Sequence, residues 1–280
     1  MGIIRMKKLL TVLLIMLFMT TLSGCINVDA LKVKLKIKNS DFEYIKEGKI
    51  RKITIQNTRD KGFSFVVTDQ QAINELYDIL SSAKVISQKT ELEPDYIFQM
   101  EESSKKIYSF NYVAGLDEKN LGNLYSGNKM YIVSKRIDTD IINSFWTIRK
   151  PINFNKVYYA SIIQTIKQFT KNGVKGKTIG INIGDDIEAI RFLLSTDLED
   201  FKGELNKLPQ NIELFDKNQT YDFVLNVSTQ GYKQKIYKSI ISIENLSDNS
   251  VKKYYVIAEY PPSVDSWDIK ITPDVKPADF

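Results

Sequence analysis

The 280-residue sequence contains no histidine and one cysteine. Without imidazole there is no Ser-His-Asp or Cys-His catalytic set, no His-Glu-x-x-His zinc site, and no side chain whose ordinary titration lies near neutral pH. A single cysteine excludes an intrachain disulfide and a Cys-x-x-Cys metal knuckle. A long hydrophobic run is also missing. From Leu9 to Met19 every residue but Thr11 is apolar, yet a membrane-crossing helix needs about 20 such residues. What remains is chemistry by carboxylates, lysines, hydroxyls and backbone groups, or binding without chemistry. No cofactor is expected.

The amino-terminal run has a different use. Arg5, Lys7 and Lys8 precede it, Thr20, Thr21 and Ser23 close it, and no acid accompanies it. That is the charged-then-apolar order of a secretory signal peptide. It ends in Leu22-Ser23-Gly24-Cys25, which resembles the lipobox of bacterial lipoprotein precursors: leucine, a small residue, glycine or alanine, then cysteine. The resemblance implies recognition of Leu22, Ser23 and Gly24 by a signal peptidase, cleavage before Cys25, and a diacylglyceryl group on the Cys25 thiol. It also implies residence on the extracytoplasmic face of the cell membrane. Two acyl chains suffice for stable anchoring, at about 0.8 kcal/mol per buried CH₂, where one chain binds only marginally. Met6, just before Lys7 and Lys8, is an alternative start to Met1.

Loss of residues 1–24 removes three of the 39 basic residues and none of the 34 acidic ones, so the net charge falls from +5 to +2. So small an excess argues against nucleic acid as a partner. Leu31 to Lys38 then alternates apolar residues with Lys32, Lys34, Lys36 and Lys38. As a strand it would carry the lysines on one face. They would either touch anionic head groups at the membrane surface or protect a sheet edge from association.

The mature chain divides best at Lys150-Pro151. Residues 25–49 are read as anchor and tether or edge strand, 50–150 and 151–272 as two domains, and 273–280 as a loose tail. In the first domain, strands are expected at 50–57, 63–67, 96–101, 106–112 and 129–133. A helix is expected from a Thr68 capping box, and another over 138–146. In the second, helices are expected at 155–171, from Asp185 with Ile187, Ile190, Leu193 and Leu194 inward, and at 197–202. Strands follow at 177–183, 221–228, 235–244, 252–259 and 267–272. This is an α+β fold of two subdomains, each a mostly antiparallel sheet with helices packed on one face. The Asp95-Tyr96-Ile97-Phe98 and Asp222-Phe223-Val224-Leu225 hairpins are alike enough to raise an internal duplication, with a groove between the halves as the place for a site.

No motif assigns a reaction. Gly173 to Thr178 copies half of a phosphate-binding loop but has Lys171 where glycine is required, and it follows a helix instead of preceding one. Ser81/Lys84 and Ser103/Lys106 have the spacing of a Ser-Lys dyad without its partner motifs. The acids Glu91/Glu93/Asp95, Asp138/Asp140, Asp185/Asp186 and Glu199/Asp200 lack calcium-loop spacing, and as a hydrolase pair they would have to meet in space. Residues 52–145, through the Asp-led helix, the Pro-Asp-Tyr-Ile strand and the Tyr-rich hairpin, resemble the YhfM-like domain of bacterial lipoproteins, a family that implies no activity. The leading expectation is a non-catalytic binding or interaction module of the cell envelope, whose partner is an envelope protein, a wall polymer or a small ligand. The alternatives are the solute-binding lipoprotein of a transporter and a carboxylate-based envelope hydrolase.

Overall fold

A computed structural model describes residues 38–116, 120–143, 150–171, 173–174 and 176–280. The lipobox residues Leu22, Ser23, Gly24 and Cys25 and the lysines 32, 34 and 36 lie outside the described residues, whereas Lys38 lies within them. Its ammonium sits 5.6 Å from the centre of the Tyr77 ring.

Strands β1 (Lys52–Asn57), β2 (Ser64–Val67), β3 (Lys84–Ile86), β4 (Tyr96–Ser103), β5 (Lys106–Tyr112), β6 (Leu124–Ser126) and β7 (Lys129–Ile132) form a seven-stranded sheet in the order β2-β1-β4-β5-β6-β7-β3. Each named pairing in it is antiparallel. Alternation decides the faces: β1 buries Ile53, Ile55 and Asn57 and turns Lys52, Thr54 and Gln56 the other way. Helices α1 (Glu43–Lys46) and α2 (Gln70–Ser81) and a π-helical turn at Ile137–Ile142 pack on the buried side. The α2 stripe of Ile73, Leu76, Ile79 and Leu80 is buried there. Its cap is Asp69, one residue later than expected, because the Asp69 carboxylate accepts the Ala72 N–H at 2.9 Å. Residues 38–49 are not simply a tether, since Phe42 and Ile45 are fully buried in this first core.

The second sheet comprises β8 (Thr178–Asn182), β9 (Asn211–Leu214), β10 (Phe223–Lys233), β11 (Ile236–Asn245), β12 (Val251–Glu259) and β13 (Asp268–Pro273), in the order β13-β12-β11-β10-β8-β9. The β10 to β13 run is an antiparallel meander, while β8 is parallel to both β9 and β10. Helix α3 (Phe154–Thr170) lies against β11, β12 and β13, and α5 (Ser195–Leu205) lies against β9. The expected helix from Asp185 shrinks to α4 (Ile187–Ile190), and Ile187 points into solvent at 71% exposure. The cause is local: Asp186 is held down on β10, so the chain leaves it outward, and Phe192 and Leu193 fill the core in place of Ile187 and Ile190.

The tail does not hang loose either. The Phe280 ring packs edge-on against Tyr255 with centres 5.1 Å apart, and Lys238 Nζ donates to the Asp279 carbonyl at 2.6 Å. The molecule is therefore α+β with two sheet subdomains, each mainly antiparallel. The hairpins β4–β5 and β10–β11 do match, but β4 has an antiparallel neighbour in β1 where β10 has a parallel one in β8. The likeness between the halves is confined to the hairpin.

Candidate functional site

Charged side chains converge at the seam between the halves, centred on Asp95. This residue immediately precedes β4 and is fully buried. One carboxylate oxygen receives Arg59 Nη1 at 2.6 Å and the Ser195 backbone N–H at 2.8 Å, and the other receives the Ala114 N–H at 2.8 Å. Ser195 is the first residue of α5, and the residue before it, Leu194, supplies no side-chain cap. Asp95 thus caps a helix of the other half and places negative charge at the positive end of its dipole. Arg59 extends the connection through Nη1 to the Leu193 carbonyl at 3.0 Å and through Nη2 to Ser195 Oγ at 2.5 Å, and that hydroxyl donates to the Glu93 carbonyl at 2.7 Å. Two further links cross the seam: Asn57 Nδ2 to the Arg191 carbonyl at 3.3 Å, and Arg191 Nε near Asp60 at 3.3 Å.

Beside this connection is a cavity of about 190 Å³. Tyr96, Ile142, Phe192 and Leu194 give it apolar walls, and Asp138, Asn143, Lys150 and Arg191 give it polar ones. Asp138 is fixed by Tyr112, whose hydroxyl donates at 3.0 Å, and by the Gly115 N–H at 2.9 Å. Burial pushes the Asp138 carboxyl above the ordinary carboxylate range; those two hydrogen bonds oppose the rise and the nearby Asp95 charge adds to it. Burial likewise raises Asp95, against the pull of Arg59 and the two N–H groups. Perturbed carboxyls beside a cavity at a domain junction are the usual marks of a binding or active site.

The other acids are dispersed. Asp186 is buried inside the second half, where it accepts from Thr229 N at 3.0 Å, Thr229 Oγ1 at 2.8 Å and the Tyr158 hydroxyl at 3.1 Å. Asp140 pairs with Arg136 on the surface, and Glu91, Glu93, Asp185, Glu199 and Asp200 are exposed. Among the described residues no group of three or more acids and cysteines is placed to hold a metal ion. Neither Ser-Lys spacing forms a dyad: Ser81 Oγ donates to the Asp78 carbonyl at 3.0 Å, and Lys106 pairs with Glu102 at 2.8 Å. Gly173 and Gly176 have φ of +97° and +76°, as a turn between α3 and β8 requires.

Residues 46–151 match the family described as YhfM protein. The matched segment spans a little over a third of the chain and carries all seven strands of the first sheet. No curated protein and no solved structure matches the chain. The YhfM segment contains Arg59, Asp95, Asp138 and the Gly115 turn, whereas Arg191 and Ser195 lie beyond it. The seam is therefore where the YhfM segment meets the rest of the chain. Sequence reasoning picked out Asp95 and Asp138 as acids but missed Arg59, Arg191 and Ser195. Only Ser195 had a visible signal, a serine two residues ahead of Asp197 at the start of a helical pattern.

Proposed function

We propose that this chain is a lipid-anchored, extracytoplasmic binding module of the bacterial cell envelope, with its ligand seat at the seam between the two sheets. The anchor is supported by the ordered sequence of cationic segment, apolar run and Leu22-Ser23-Gly24-Cys25. The observation that carries binding over catalysis is the engagement of the seam's carboxylates. Asp95 is occupied by Arg59 and two backbone N–H groups, and Asp138 by Tyr112 and Gly115. A hydrolytic pair needs one carboxyl to protonate a leaving group and another to attack or activate water; these two are committed to holding the fold. The regular strand-helix-strand alternation of a transporter's solute receptor is also missing from the wholly antiparallel first sheet.

The anchor is tested by labelling cells with a radioactive fatty acid and fractionating them. The full chain is expected to carry label and sediment with membranes, and Cys25→Ala to remain unlabelled and unprocessed. Label on Cys25→Ala would overturn the anchor. Binding is tested by photo-crosslinking from position 143, an exposed residue that lines the cavity, in intact cells: a discrete adduct supports the seat, and adducts that form equally from a surface position on β13 count against it.

A further inference from the structure

Strand β9 ends the second sheet, and among the described residues no strand pairs with its outer side. The register decides which main-chain groups face outward. β9 runs parallel to β8, with Ile212 opposite Ile179 and Leu214 opposite Ile181, and the Phe215 N–H donates to the Ile181 carbonyl at 2.9 Å. Alternate residues of a parallel strand turn their amides to the same neighbour, so Asn211, Glu213 and Phe215 bond toward β8 while Ile212 and Leu214 turn outward. The Leu214 carbonyl is met by the Tyr221 hydroxyl at 3.4 Å. The Ile212 N–H and C=O and the Leu214 N–H remain at the open edge. Natural edges are commonly guarded by lysine, proline or a bulge; β9 is Asn-Ile-Glu-Leu, in unbroken register with β8, and its one charge is Glu213.

Two cavities, of about 460 and 310 Å³, border this edge. The first touches Asn211, Ile212 and Glu213 in succession, and the second Ile212, Glu213 and Leu214. Successive side chains of a strand point to opposite faces, so a space that meets three in a row follows the strand's edge. Asn206, just past α5, lines both cavities, and Leu205 lines the second. The edge is therefore one wall of a groove whose other wall is the end of α5. Its charge is negative: Glu213 lines both cavities and Asp216 the second, both are exposed, and neither has a cationic partner among the described residues. The one lysine in the lining, Lys202, pairs with Glu199 at 3.2 Å. We infer that the groove between β9 and α5 binds an extended, basic polypeptide segment of a partner, added as a further strand beside β9. Ile212 would exchange two main-chain bonds with it and Leu214 would donate a third. Residues opposite Ile212 and Leu214 share their core-side face and are apolar; the residue opposite Glu213 lies on the other face and is lysine or arginine. A second copy's β9 would bring another Glu213 and Asp216 to the same short ladder, which like charges disfavour. The groove shares no lining residue with the seam cavity, so the two sites stand or fall separately.

Fluorescence anisotropy on the full chain in detergent tests it, with a labelled, end-capped hexapeptide of alternating valine and lysine as the probe. Its controls are the valine–glutamate peptide and a valine–lysine peptide N-methylated at every amide, which cannot donate to a strand. The probe is expected to bind at least ten-fold more tightly than either control. Glu213→Lys, at an exposed side chain, should weaken the probe at least ten-fold, strengthen the valine–glutamate peptide, and leave thermal unfolding unchanged. Leu214→Pro removes one outward N–H at a sheet edge, where proline is tolerated, and should also weaken the probe. No binding of the probe, equal binding of its N-methylated form, or an unchanged preference in Glu213→Lys would overturn the inference. A crosslink from position 213 to a second copy of the chain, in place of the peptide, would overturn it as well.

Discussion

At the scale of single residues, Asp95 has the largest expected effect. It is completely buried, its Arg59 partner is 18% exposed, and three donors converge on it. Removing one member of a buried pair leaves the other charge uncompensated, typically destabilising by about 3–5 kcal/mol. Asp95→Ala should therefore lose about that much in urea unfolding, and the double variant with Arg59→Met should lose less than the two single variants added together. Additive losses would show that the pair is not coupled. The acids also set the pH response, with opposite signs. Asp95, Asp138 and Asp186 are all raised by burial. Groups of this kind penalise the folded state when charged, so stability rises as pH falls through their folded values toward 3.8. Asp222 runs the other way, held down at about 2 first by Lys177 and then by the Thr178 N–H; its contribution is present above 3.8 and lost as pH falls toward 2. Melting temperature should therefore rise as pH is lowered from neutrality toward 4 and then fall at lower pH, with Asp222→Asn flattening the acid fall. A maximum at pH 7 or above would contradict this balance. These roles were only half legible beforehand, because an acid's partner is fixed by the fold: Asp95 meets Ser195, a hundred positions away.

At the scale of elements, the long strands and helices were legible because each has a period. The eleven-residue β10 and ten-residue β11 alternate, and α2 and α3 carry continuous apolar stripes. The strands that escaped were β3, β6 and β9, of three, three and four residues, and the four-residue helix α1 escaped with them. Segments that short exist because neighbours pair with them, and no local pattern marks them. The parallel placement of β8 was equally invisible, since direction within a sheet depends on how the connections cross. Within β8 one residue is tightly constrained. A Cβ on Gly180 would lie 3.0 Å from three atoms of the Tyr221 ring, tighter than nine in ten real Cβ contacts. Tyr221 is in turn held by its hydroxyl, which accepts the Asp216 N–H at 3.0 Å, so the ring cannot swing away freely. Gly180→Val should destabilise by about 1–3 kcal/mol through overpacking, and adding Tyr221→Leu should restore part of the loss. Guanidinium denaturation of the three variants decides it; no recovery in the double variant would place the strain elsewhere.

At the scale of the whole molecule, the question is whether two sheets with separate cores behave as one body. Each core is closed by its own helices, which by itself would allow independent unfolding. The Asp95 connection opposes that. It ties the start of β4, the Arg59 turn and the N-terminus of α5 through bonds of 2.5 to 3.0 Å, and it excludes water from Asp95. Opening the seam would leave the first α5 N–H and a buried carboxylate to be resolvated, so the halves should separate only as they unfold. The two tryptophans permit a direct measurement: Trp146 belongs to the first half of the sequence and Trp267 to the second. Trp267 is anchored by donation from its indole N–H to the Ile152 carbonyl at 2.9 Å. In a Trp146→Phe background, fluorescence reports the second half alone, while far-ultraviolet circular dichroism reports both. The two probes should give coincident urea midpoints when the seam is intact. With Arg59→Ala added, Asp95 is left buried and uncompensated within the first half, so that half should unfold at lower urea while Trp267 retains its midpoint. Coincident midpoints in both proteins would mean that the apolar contact between the halves, and not the Asp95 connection, makes them one unit.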